Sequence, residues 1–103
     1  MMEDGLIDLD TDRGKLLGFT SDVYDGYLWK KGGYIIISFI VSLRSGGFKK
    51  LVDRILEHGF GVKVPTPLGR MKDIVRKNGY RQTFEDKDGE RYEIWVLEGT
   101  SEC

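Results

Sequence analysis

Cysteine and histidine are almost missing from this 103-residue chain, with Cys103 and His58 the sole examples. One cysteine closes no intrachain disulfide, and one of each cannot supply the ligands of a structural zinc site. A histidine-based nucleophilic device would have His58 as its single candidate base, and His58 falls where a helix is expected to end, an ordinary place for a surface histidine. Neither a Walker A motif nor a complete Gly-x-Gly-x-x-Gly is present. Asp8-x-Asp10-x-Asp12 opens like a calcium loop, but Arg13 and Phe19 stand where that loop needs glycine and glutamate, which excludes it. The longest apolar run, Tyr34 to Leu43, is about half the roughly 20 residues that span a bilayer. The first twelve residues lack the basic and apolar regions of a secretory leader. A cytoplasmic, reducing location is the expectation.

What charge there is lies unevenly. The formal net charge is -1, yet Met1 to Asp12 carries Glu3, Asp4, Asp8, Asp10 and Asp12 with no cation, so the rest of the chain stands at +4. Between Arg44 and Arg81 ten basic residues face three acidic ones. Such a stretch suits a phosphorylated small ligand or a nucleic-acid backbone, and composition does not separate the two.

Hydrophobic periodicity predicts one α+β domain over residues 1–103, with a central mixed sheet, a parallel strand pair and two main helices. Residues 1–12 read as an acidic arm or a short edge strand near Leu6 to Leu9, and residues 99–103 as a tail. Leu16 to Thr20 reads as a short strand, Ser21 to Gly26 as a turn, and Tyr27 to Lys30 as a strand joined through Lys31-Gly32-Gly33 to the next. Tyr34 to Val41 is apolar at nearly every position, the mark of a central strand covered on both faces. From Phe48 the period turns helical, with Leu51, Val52, Ile55 and Leu56 on the same face and Gly59 as the stop. Val62 and Val64 make a short strand, and a strand-helix-strand unit of this length implies a parallel crossover. A second helix is expected from about Leu68 to Lys77, then a hairpin of Arg81 to Glu85 and Glu90 to Leu97. Trp29, Phe84, Tyr92 and Trp95 suit packing within strands better than stacking on bases.

The join at Arg44-Ser45-Gly46-Gly47 carries the chemical signal. A glycine-rich turn from strand to helix presents unpaired N–H groups and the positive end of the helix dipole, a ready anion site. Lys49 and Lys50 in that first turn oppose the dipole by about 0.3–1 kcal/mol, a penalty that an anionic ligand reverses. The order of elements, with this loop after the central strand and Asn78-Gly79-Tyr80 ending the second helix, resembles the GNAT family of acyl-CoA N-acyltransferases across Leu17 to Leu97. Arg44 and Gly47 match the family's pyrophosphate loop, in which an Arg or Gln precedes two residues, a Gly, one residue and a Gly or Ala. Lys49 departs from the last position.

The resemblance implies acetyl-CoA or CoA as cofactor and an amine as acceptor. Arg44, Lys49 and Lys50 would supply charge to the pyrophosphate, Gly46, Gly47, Phe48 and Lys49 backbone donors, and the backbone of Ile40, Val41 and Ser42 would pair with the pantetheine arm. Asp22, Tyr24, Asp25 and Tyr27 would lie on the acceptor side. The tyrosine that protonates the leaving thiolate in this family corresponds to Val75, and the family's Asn at the start of that helix to Leu68. Little chain precedes Leu16 to shape an acceptor pocket, so on this resemblance the chain would be a minimal, truncated member of a kind that short phage and prophage genes can encode. A homo-oligomer or partner subunit would complete the site. A noncatalytic binding module and a basic nucleic-acid-binding domain are the alternatives, and no membrane partner is expected.

Overall fold

The computed structural model describes residues 3–67 and 69–98. Six strands form one sheet in the order β1-β2-β3-β4-β6-β5, built from β1 (Gly5–Ile7), β2 (Tyr24–Lys31), β3 (Tyr34–Ser42), β4 (Gly61–Pro65), β5 (Arg81–Lys87) and β6 (Glu90–Leu97). All neighbours are antiparallel except β3 and β4, the pair that the crossover argument makes parallel. Three helices accompany the sheet: α1 (Asp12–Leu16), α2 (Gly47–Glu57) and α3 (Arg70–Lys77).

The main core lies on one face of the sheet, while Ile94 and Val96 are buried on the other. Ile35 and Ile37 of β3, Val62 and Val64 of β4 and Leu28 of β2 pack against Leu51, Val52 and Ile55 of α2, Val75 of α3 and Leu17 and Phe19 beyond α1. Strand alternation then sends Leu6, Tyr27, Trp29 and Ile36 to the opposite face, since the register pairs Leu6 and Ile36 with Trp29. The expectation that β3 is covered on both sides is thus corrected: helices cover one side, and Phe39 and Val41 leave 51% and 42% of their surface exposed. A bulge decides which residues face out. Tyr27 opposes Phe39 while Trp29 opposes Ile36, so β3 fits one more residue than β2 into the same length and its alternation reverses past Ile37. Beyond the bulge Ile40 packs on the core instead.

Other departures have local causes. Leu16 to Thr20 is not a strand. Thr11 caps α1, its Oγ1 accepting the Gly14 N–H at 3.0 Å and donating to the Asp8 carbonyl at 2.8 Å, and Phe19 N–H closes back on the Gly14 carbonyl at 2.7 Å. β2 starts at Tyr24, three residues earlier than its apolar pattern predicts, because Tyr24 and Leu28 both enter the core. Asp88 and Gly89, at φ 54° and 79°, close the last hairpin in the left-handed geometry such turns favour, so β5 runs on to Lys87. α3 begins at Arg70, and Leu68 lies outside the described residues, as do Met1, Met2 and the tail at 99–103. Trp29, Phe84 and Tyr92 stand on strands yet remain substantially exposed, which removes the simple packing role for all three.

β1 is fastened by charge. Lys30, 8% exposed, donates from Nζ to Asp4 Oδ1 at 2.9 Å and to the Gly32 carbonyl at 2.7 Å, and Asp4 also accepts the Gly32 N–H. The hydrogen bond from Lys30, foremost, holds the Asp4 carboxyl below its usual range. A depressed folded-state value adds stability that is present in full above the unfolded value of about 4 and is lost as pH falls through the folded one. Asp4→Asn is therefore expected to melt below wild type at pH 7, with the gap closing as pH drops past about 4. A gap that thermal melts find constant from neutral to acid pH would show that the carboxylate charge plays no part.

Candidate functional site

The sheet opens where β3 parts from β4. The parallel pairing runs only from Tyr34–Ile36 to Gly61–Lys63. Past Ile37, β3 keeps β2 as its partner up to Ser42, while Val64 and Pro65 pair with Trp95 and Ile94 of β6 on the far side. The edge of β3 that would have faced β4 is left unpaired over this length among the described residues. A wedge of about 200 Å³ lies in the gap, lined by Ile37, Phe39, Ile40, Val64, Pro65 and Met71 among others. It meets a larger cleft of about 840 Å³ that follows Ile40 to Lys49 on one side and Arg70, Met71, Ile74 and Asn78 on the other.

At the head of this cleft the chain turns into α2. Gly46 takes φ 77°, which glycine adopts without strain, and no side chain among the described residues caps the helix. The Gly47 N–H turns back to the Arg44 carbonyl at 3.2 Å, and the N–H groups of Phe48 and Lys49 meet no acceptor among the described residues. The loop is tied down from below. Ser42 Oγ donates to the Arg44 carbonyl at 2.6 Å, Leu43 N–H donates to Val23 at 2.7 Å, and the buried Tyr24 hydroxyl donates to the Gly47 carbonyl. Two donors are thus held in place at the positive end of an eleven-residue helix.

Eight of the nine residues predicted for the cofactor line the cleft: Ile40, Val41, Ser42, Arg44, Gly46, Gly47, Phe48 and Lys49. Lys50 does not. It lies in a groove along the other flank of α2 with Asp22, Arg54 and Glu57, which meets the cleft at Arg44, Ser45 and Gly47. The ammonium of Lys49 reaches along the helix to Asp53 at 2.9 Å, so part of its charge is already answered. Tyr24, expected on the acceptor side, is the loop's anchor, and burial raises its pKa. Gly47 also changes meaning. It is buried, and a Cβ there would overlap the Ser42 Oγ and lie 3.2 Å from Ser42 Cβ, so its intolerance of bulk is a matter of folding rather than of ligand contact.

The opposite wall was missed. Arg70, Ile74 and Asn78 follow one another at i, i+4 and i+8 on α3, a stripe that helical spacing reveals once the helix is known to face the loop. Arg70 has no acidic partner among the described residues and adds a second cation to Arg44. Val75, by contrast, is fully buried in the core. Tyr80 has a buried hydroxyl with no hydrogen-bond partner among the described residues, and burial, followed by the charge of Asp53, raises its pKa far above the usual phenol range. It opens on a neighbouring groove with Phe48, Val52 and Leu56 rather than on the wedge.

No family model, curated protein or solved structure matches the chain. Among the described residues no group of His, Cys, Asp and Glu is placed to hold a metal ion, and no helix is long and apolar enough to cross a membrane.

Proposed function

We propose that the cleft binds coenzyme A as its acyl thioester and that the protein is an acyl-CoA-dependent N-acyltransferase of GNAT type. The observation that carries this reading is the parting of β3 from β4, which leaves an unpaired strand edge leading straight to two unsatisfied N–H donors. An amide-bearing chain such as pantetheine can add to that edge by main-chain hydrogen bonds while its diphosphate sits at the start of α2. Arg44 and Arg70 line the cleft that holds this position. The N–H pair and the cations together suit a diphosphate better than a single neutral group.

Transfer to an amine also needs a proton route and a stabilised oxyanion. No acid lines the wedge among the described residues, and Val75 cannot be replaced by a working tyrosine because its side chain points into the core. That favours a second reading, a CoA-binding module with little or no turnover.

Thermal shift separates these ligands from the nucleic-acid alternative. A ligand at 100 times its Kd adds about 2.7 kcal/mol to native stability, so CoA and acetyl-CoA are expected to raise Tm by on the order of 10 °C. Arg44→Ala and Arg70→Ala should each weaken that binding by about tenfold or more, as lost charge-assisted contacts do. Stabilisation by a short duplex and none by CoA would overturn the proposal.

A further inference from the structure

The uncovered sheet face divides into two halves of different character. Over β4, β6 and β5 its charges are answered within the chain: Lys63 pairs with Glu85 at 3.1 Å and Arg81 with Glu98 at 3.2 Å, and Lys63 Nζ sits 4.6 Å from the centre of the Tyr34 ring. Over β1, β2 and β3 the face is apolar, with Leu6, Tyr27, Trp29, Phe39 and Val41 each 37–51% exposed, and with Ile36 between them. Tyr27 and Phe39 already touch, their ring centres 6.1 Å apart. From these exposures and ordinary side-chain areas, the patch presents on the order of 400–500 Å² of apolar surface, the size of the largest patch on a typical monomer, which is often functional.

We infer that this face docks against the same face of a second copy of the chain. Two properties select that occupant. The first is area: a standard interface removes about 800 Å² per partner, of which roughly 57–65% is apolar, close to what the patch supplies. The second is the order of residues along β2, whose outward positions read Asp25, Tyr27, Trp29 and Lys31. A two-fold axis lying between the stacked sheets and across the strands, midway between Tyr27 and Trp29, reverses that order. Asp25 then meets the second copy's Lys31, Tyr27 meets its Trp29, and on β3 Phe39 meets its Ile36. Neither Asp25 nor Lys31 has an ion-pair partner within the chain among the described residues. A single row thus carries both a hydrophobic centre and self-complementary ends, as an isologous contact requires. Sheets stacked in this way cross at about 30° because each is twisted.

The inference does not rest on the acyl-CoA reading, although Phe39 and Val41 border both the patch and the cleft, and the variants that test it lie outside the cleft. Sedimentation velocity over about 1 µM to 1 mM should show a monomer–dimer equilibrium for the intact chain. Trp29→Lys should abolish the dimer, while Phe84→Lys, on an equally exposed aromatic outside the patch, should leave it in place. Asp25→Lys and Lys31→Asp should each raise the dimer Kd by about tenfold, and the two together should restore it to within about threefold of wild type. Circular dichroism of each variant checks that the fold is intact. A chain that stays monomeric throughout, or a dimer lost with Phe84 but kept with Trp29→Lys, overturns the assignment. So does a charge-swapped double variant no tighter than either single one.

Discussion

Gly47→Ala should destabilise the protein by about 1–3 kcal/mol, the usual cost of forcing atoms into a filled site. The sign is informative, because alanine in place of glycine within a helix ordinarily gains roughly 0.5–1 kcal/mol. Here the new methyl group would displace the Ser42 hydroxyl, breaking its bond to the Arg44 carbonyl, and crowd the Ser42 Cβ at 3.2 Å. Removing the obstruction should return part of the loss, so Gly47→Ala placed in a Ser42→Ala background should cost less than in wild type. Urea unfolding of the four proteins in this cycle measures the coupling directly. Equal costs in both backgrounds would mean that the helix start does not rest on Ser42 as described.

Cofactor affinity should outlast catalysis. A positioned general acid or base is worth about 100- to 10,000-fold, and no side chain lining the wedge supplies one. Positioning along the β3 edge and stabilisation of the oxyanion by backbone donors are the contributions left. Calorimetry is expected to register CoA binding that Arg44→Ala weakens, while thiol release from acetyl-CoA with a panel of amines stays slow. Efficient release would mean that a group outside the wedge, or one brought by a partner, handles the proton. Absence of any binding would remove the cofactor reading while leaving the fold untouched.

Much of the sheet could be read from the chain because its signals are local. Gly32-Gly33 and Asp88-Gly89 fix two hairpins by turn chemistry, and the spacing of Leu51, Val52 and Ile55 fixes the buried face of α2. The parallel pair follows from the length of the crossover between them. What could not be read depends on contacts distant in sequence. Nothing between Tyr34 and Val41 announces a bulge, since every residue but Ser38 is apolar and the pattern is the same in either register. α1 was hidden because one turn of helix held by a Thr11 cap has no period to detect. At the site, the loop was visible as glycine and arginine, but the wall made by Arg70, Ile74 and Asn78 depends on how α3 lies across from it. Tyr24 illustrates the same limit: its residue type suggested chemistry, and its burial gave it a tethering role.

The extra residue in β3 has a wider consequence. By reversing alternation past Ile37 it turns Phe39 and Val41 outward and Ile40 inward, and in the same stretch β3 ceases to pair with β4. Were the same residues to run as a regular strand without the bulge, these assignments would swap, drawing the aromatic ring toward the helices and offering β4 a straight partner to zip against. A ligand cleft and an adhesive outer surface are therefore not separate inventions on this scaffold. Both hang on one irregularity in a single strand.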